Sequence, residues 1–203
     1  MKKLSLATLS TLAFTLSCTS VFALDGTITV NGAVTDQTCI LQGDIGSTGA
    51  ALKDMILNLP TIPKSRFTPS NPSGGEYIHF GMRLTDATGM GQCDEATAQA
   101  FKGLHLSVTS PNDDLDATDK TLLVNKASGV GSASSKNPVF IRLFTSDRQV
   151  INFSASWGDQ ATSEVLRVGR HVAVIYYVRY ASKTGIVDAQ NVNAKINYTI
   201  HYN

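Results

Sequence analysis

Apolar and polar residues alternate along much of this chain, most clearly at its two ends. In residues 24–39 (LDGTITVNGAVTDQTC) the even positions Leu24, Gly26, Ile28, Val30 and Val34 are apolar or small, and the odd positions Asp25, Thr27, Thr29, Asn31 and Thr35 are polar. The last ten residues repeat the device, with Ala194, Ile196, Tyr198, Ile200 and Tyr202 set against Lys195, Asn197, Thr199, His201 and Asn203. A period of two places successive side chains on opposite faces of a strand, so each end predicts a strand with one face to bury. Such a strand has to find a sheet, in its own molecule or in another, because an unpaired edge with an apolar face invites pairing with a second chain.

The interior carries the same pattern in shorter pieces. Residues 55–59 (MILNL) read as a strand ended by Pro60 and Pro63. Residues 77–84 (YIHFGMRL) put Ile78, Phe80, Met82 and Leu84 on one face and Tyr77, His79, Gly81 and Arg83 on the other. Residues 104–108 and 121–124 are short strands, and 139–144 with 149–153 make a hairpin about the turn 145–148. The strongest strand is 170–180 (RHVAVIYYVRY), in which Val172, Val174, Tyr176, Val178 and Tyr180 share a face. Ala173, Ile175 and Tyr177 keep its other face partly apolar, as a central strand requires. Residues 95–101 (EATAQAF) are the one plausible helix, of one or two turns. Segments 43–50, 64–75 and 111–119 are loop or turn by composition, and 126–137 (KASGVGSASSKN) predicts an exposed, mobile loop. Many short strands without crossover helices predict a single all-β sandwich and argue against a parallel α/β fold.

A leader precedes this pattern. Lys2 and Lys3, an apolar run over residues 4–16 and the Val21-Phe22-Ala23 tripeptide form a secretion signal cleaved after Ala23. The run is too short for a membrane span. The rival reading is a lipoprotein anchor at Cys18, although Thr15 stands where such a signal carries an aliphatic residue. Removing 23 of the 203 residues leaves 180, enough for one all-β domain with a proper core. Of three cysteines, Cys39 and Cys93 remain, an even pair that an exported protein joins in a disulfide. Charge changes the picture by exclusion. The chain has 17 Lys plus Arg against 16 Asp plus Glu, and loss of Lys2 and Lys3 leaves 15 against 16. Nucleic acid and anionic membrane both select a basic face, which this balance does not supply.

Catalytic and metal chemistry find little support. His79, His105, His171 and His201 fall in four different strands without metal spacing. There is no G-x-S-x-G, and the glycines at 89, 91, 129 and 131 lack the strand-to-helix setting of a phosphate loop. The cluster Asp113, Asp114, Asp116 and Asp119 lacks the glycine and terminal glutamate of a calcium loop. Trp157 reads as a partly buried anchor, with a sugar-stacking platform as its alternative. The expectation is a protein that is not an enzyme and has no cofactor.

The leader, GTITVNGAVTDQTC, YIHFGMRLTDATGMGQC, VFIRLF, HVAVIYYVRYAS and the closing NAKINYTIHYN occur in an order that resembles the chaperone–usher fimbrial (pilin) subunits of Gram-negative bacteria, especially the type 1-like major subunits. The resemblance spans essentially the whole mature chain. It implies an incomplete immunoglobulin-like β-sandwich, with residues 24–31 as an N-terminal donor-strand extension and 32–203 as one pilin domain. It implies that a periplasmic chaperone, and then the extension of the next subunit, fills the open groove, with an outer-membrane usher assembling the fibre. Leu24, Gly26, Ile28 and Val30 would enter a neighbour's groove, Gly26 at a shallow point. Ile196, Tyr198, Ile200 and Tyr202 would edge the groove and meet the chaperone, and Cys39 and Cys93 would form the family disulfide. The expected role is a fimbrial building block at the cell surface supporting adhesion, without membrane insertion of the mature chain. The alternative is a minor adaptor or tip adhesin that binds a host glycan. The chain departs from the family where a glycine is common about fourteen residues from the end, with Gln190 standing near there.

Overall fold

The structure, a computed structural model, describes residues 39–44, 47–48 and 54–203. The leader over 1–23 and the stretch 24–31, with Leu24, Gly26, Ile28 and Val30, lie outside the described residues. The elements run β1 (Ile40–Gly43), β2 (Ser47–Thr48), β3 (Ile56–Leu57), β4 (Ile78–Thr85), α1 (Glu95–Ala100), β5 (Phe101–Ser107), α2 (Pro111–Asp114), β6 (Phe140–Phe144), β7 (Val165–Val168), β8 (His171–Ala181) and β9 (Asn197–Tyr202). The main sheet has the order β1-β4-β8-β6, with β7 beside the first half of β8, while β2–β3 and β5–β9 form separate ladders. Each pairing is antiparallel.

The apolar pattern of β8 makes it the centre of the main sheet. Its even-numbered residues 172–178 are buried, and Ala173, Ile175 and Tyr177 are half-buried beneath the outer face. Antiparallel register sets Phe80 opposite Tyr176, where the rings stack with centroids 5.8 Å apart, and Leu143 opposite Val178. The core forms where this inner face meets Phe101, Leu104 and Leu106 of β5. The result is an all-β sandwich of two unequal antiparallel layers.

The Cys39–Cys93 disulfide closes 54 residues of chain and joins the start of β1 to the approach to α1. Asp94 caps that helix, its carboxylate accepting from the Thr97 N–H at 2.9 Å. Arg167 of β7 binds the far end of α1 by donating to the carbonyl oxygens of Ala98 and Phe101.

The departures from the sequence reading have local causes. Residues 111–114 form a single helical turn, with Pro111 at a position where its missing N–H costs nothing. Residues 121–124 are no strand: only Leu123 bridges, to Leu115 and Ile141. The hairpin after β6 pairs beside its turn, through the Thr145 N–H to the Gln149 carbonyl, Phe144 with Val150 and the Ile151 N–H to the Leu143 carbonyl. Its second arm then leaves β6, and Phe153 donates to the Lys120 carbonyl instead. The segment 126–137 is tied down by side chains: the Ser134 hydroxyl and the Asn137 amide both donate to the Asp188 carboxylate. Neither β2 nor β7 is long enough to show a periodic signal.

Candidate functional site

The strand β9 shows its alternation as half-burial. Val192, Ala194, Ile196, Tyr198 and Ile200 pack against the core yet remain partly exposed, while the odd-numbered residues from 191 to 199 point to solvent. Facing them, Met55, Leu57 and Leu59 repeat the condition, with Ile56 and Asn58 outward. Between the two lips lies a floor of Leu123, Ile141, Leu143 and Val178, and the hollow above it measures about 270 Å³. Past Leu59, Tyr180 and Val192 a second hollow of about 540 Å³ continues over Phe67, Val139 and Val187. Two rows of alternate apolar residues, neither fully covered, leave this core one strand short along β9 among the described residues.

The backbone of β9 points the same way. Among the described residues it pairs only with β5. Gln160 takes both the N–H and the C=O of Leu106, so those groups face away from β9. Leu106 and its cross-strand neighbour Tyr198 therefore form a non-hydrogen-bonded pair, and even-numbered residues of β9 such as Ile200 direct their N–H and C=O toward the groove. The side chains and main-chain groups that a further strand needs thus lie along one edge.

Two amides hold the groove wall where it enters β9. The Gln190 Oε1 accepts from Asn125 Nδ2 (3.1 Å) and from the N–H groups of Ser134 and Val139 (3.2 Å each). Its Nε2 donates to the carbonyls of Asn137 and Asp188, each at 3.0 Å. Asn125, buried, donates to the Asn191 carbonyl at 2.7 Å and accepts from the N–H groups of Ala127 and Asn193. Gln190, which stands where the resemblance leads one to expect glycine, is thus a hub that positions Val192 and its neighbours.

Of the predicted groove residues, Ile196, Tyr198 and Ile200 line the half-buried row, whereas Tyr202 is 40% exposed at its far end, edge-on to Phe101. Burial raises the Tyr198 phenol above its usual pKa, with the Asp54 carboxylate adding to it. Burial does the same for Tyr202, with Asp94 adding. Both phenols therefore remain neutral hydrogen-bonding groups. The lip at residues 55–59 and the floor were not singled out from sequence as parts of a site. The backward continuation of the alternation to Val192 was the available signal for that end of the groove.

The histidines do not gather at one centre, although His105 of β5 and His201 of β9 meet edge-on with ring centroids 6.1 Å apart. His171 meets Gln92 at 3.0 Å, His79 lies edge-on to Tyr177, and His105 donates through Nε2 to the Ala155 carbonyl at 2.9 Å. His201 is stacked under Trp157, with centroids 3.9 Å apart. The one metal-type grouping among the described residues, Cys39, Cys93 and Asp94, has both sulfurs in the disulfide. No helix among the described residues is long and apolar enough to cross a membrane.

No family model matches the chain. It is similar to the major fimbrial subunit SMF-1 of Stenotrophomonas maltophilia (strain K279a), with 29% identity over 185 residues, 89% of this chain and 94% of that one. It is also similar to the F17 fimbrial protein of Escherichia coli, with 27% identity over 187 residues, 92% of each chain. Among solved structures, the P pilus rod subunit PapA superposes with a TM-score of 0.51 at 16% identity, over 87% of this chain and all of the other, a likeness of fold.

Proposed function

We infer that this chain is a chaperone–usher fimbrial subunit, a non-catalytic building block that assembles with other pilin subunits into a fimbrium at the cell surface and supports adhesion. The observation that carries the reading is the groove: the lips 55–59 and 192–200, half-buried above an apolar floor, beside a β9 edge whose even-numbered residues aim their main-chain groups into it. Among the described residues the sandwich is one strand short along β9, and its fold is like that of the P pilus rod subunit PapA. Relatives named as fimbrial proteins, matched over nearly their full lengths, support the same conclusion. A role as a glycan-binding tip adhesin is not favoured.

The finer assignment follows from complementarity. The segment 24–31 ahead of the domain 32–203 is the donor strand, with Leu24, Gly26, Ile28 and Val30 entering the groove of the next copy. Full burial of an aliphatic side chain is worth roughly 1.5–3 kcal/mol, so Leu24, Ile28 and Val30 together contribute several kcal/mol to each joint. A periplasmic chaperone occupies the groove first, along Ile196, Tyr198, Ile200 and Tyr202, and an outer-membrane usher exchanges it for the donor. A head-to-tail contact of this kind does not close on itself, so it propagates as a filament.

The test is deletion of residues 24–31 from the mature chain. The expected product binds chaperone and accepts a donor strand yet supplies none, so electron microscopy shows no extended fibres. Normal fibres from the deletion overturn the reading.

A further inference from the structure

The β5–β9 ladder has two outer edges, and they are treated differently. Along β9 lies the groove. Along β5, Gln160 reaches across with only 5% of its surface exposed. Its Oε1 accepts from the Leu106 N–H at 2.8 Å, and its Nε2 donates to the Leu106 carbonyl at 2.8 Å and to that of Asn152 at 2.9 Å. A primary amide that takes both main-chain groups of one residue reproduces the two-bond exchange between directly opposed residues of antiparallel strands.

The surrounding segment braces this amide. The N–H of Gln160 closes a turn onto the Ser156 carbonyl at 3.0 Å, and His105 is bonded to Ala155. Trp157 stacks on His201 of β9 with its plane only 4° away. Its ring also passes over Gly103, with Cη2 3.5 Å from where a Cβ would stand; Gly103 adopts a φ of 140° at the bulge in β5. The segment 152–160 is therefore fastened to both strands of the ladder from its outer side.

We propose that Gln160 is a specificity-determining residue for strand addition: its side-chain amide is a surrogate strand that closes the outer edge of β5, leaving β9 as the one edge of this ladder that receives a donor. An open edge templates another chain, and two open edges on one ladder let each subunit take two strands, which turns a filament into a branched or bundled aggregate. The proposal rests on the reading of β9 as the docking edge.

The test compares the mature chain with its Gln160→Ala variant by amide hydrogen exchange and by electron microscopy of the assembled material. The Leu106 amide is expected to exchange about 100-fold faster in the variant, as for a local opening, while those of His105 and Ser107, which face β9, keep their rates. The variant's assemblies branch or bundle where the parent's run single file. Unchanged Leu106 protection overturns the proposal, and so do single-file variant fibres. Should Gln160→Ala fail to fold, Trp157→Ala unpins the segment with Gln160 intact, and the same two readings decide, with exchange at Leu106 about 10-fold faster. If the parent chain does not polymerise, the fimbrial reading falls. Leu106 exchange and the variant's self-association by light scattering then decide on Gln160 alone.

Discussion

Asp116 shows how much a single carboxylate organises here. Its Oδ1 accepts from the Thr118 N–H (3.0 Å) and hydroxyl (2.8 Å), from the Asp119 N–H (3.0 Å) and from the Lys183 ammonium (3.0 Å). Partial burial pushes its pKa up, but the bonds from Lys183, Thr118 and Asp119 outweigh that and hold it at about 2. A carboxyl whose folded pKa lies below its unfolded value of 3.8 stabilises the fold above about pH 4 and loses that contribution as pH falls toward 2. Urea unfolding of Asp116→Asn beside the parent therefore shows a stability gap that is full at pH 6 and has shrunk to a small remainder at pH 2. A gap that stays constant across that range removes the carboxylate from the account. Residues of this kind are poorly legible in sequence. The acidic run 111–119 announced a turn, but not that Lys183, from the loop after β8, would neutralise it. Gln190 and Asn125 are less legible still, since their value lies in six bonds to segments distant along the chain.

At the scale of elements, alternation reveals strands in proportion to their length and to the contrast between their faces. It locates β4 and β8 to within a residue and β9 with a start three residues too early, because each turns one continuous row of apolar side chains inward. It misses β7, whose four residues have Leu166 and Val168 exposed and are held by pairing with β8 and by Arg167 rather than by an apolar row. The groove was half legible for the same reason. The lip of β9 alternates in plain view, whereas the floor residues Leu123, Ile141 and Val178 come together only through strand order. The Cys39–Cys93 link was the most legible long-range contact, and its energetic role can be stated. Closing a loop of 54 residues restrains the unfolded chain by about 4 kcal/mol in the chain-entropy model. For a domain of this size, each kcal/mol shifts the melting temperature by roughly 2–4 °C. The Cys39→Ser, Cys93→Ser double variant is expected to melt about 8–16 °C lower by circular dichroism, and an unchanged melting temperature contradicts that role.

At the scale of the whole molecule, the unusual feature is a core that its own described residues do not finish. Sandwich domains ordinarily bury the inward row of a terminal strand, yet here the inward row from Val192 to Ile200 remains half-wet and so does its counterpart over residues 55–59. The stability of the subunit is then linked to whatever covers the groove, because a ligand that binds only the folded state raises stability by mass action, by about 2.7 kcal/mol at a hundredfold excess over its dissociation constant. A peptide of residues 24–31 added to the mature chain lacking that segment should therefore raise its melting temperature by roughly 5–11 °C under those conditions. The same peptide carrying Ile28→Asp places a charge against an apolar floor and should raise it little. Equal shifts from both peptides mean that the segment does not bind through its alternating apolar face. No shift from either leaves the groove to some other occupant and removes the link between the two ends of the chain, whose matched patterns of alternation are the reason for expecting one copy to complete the next.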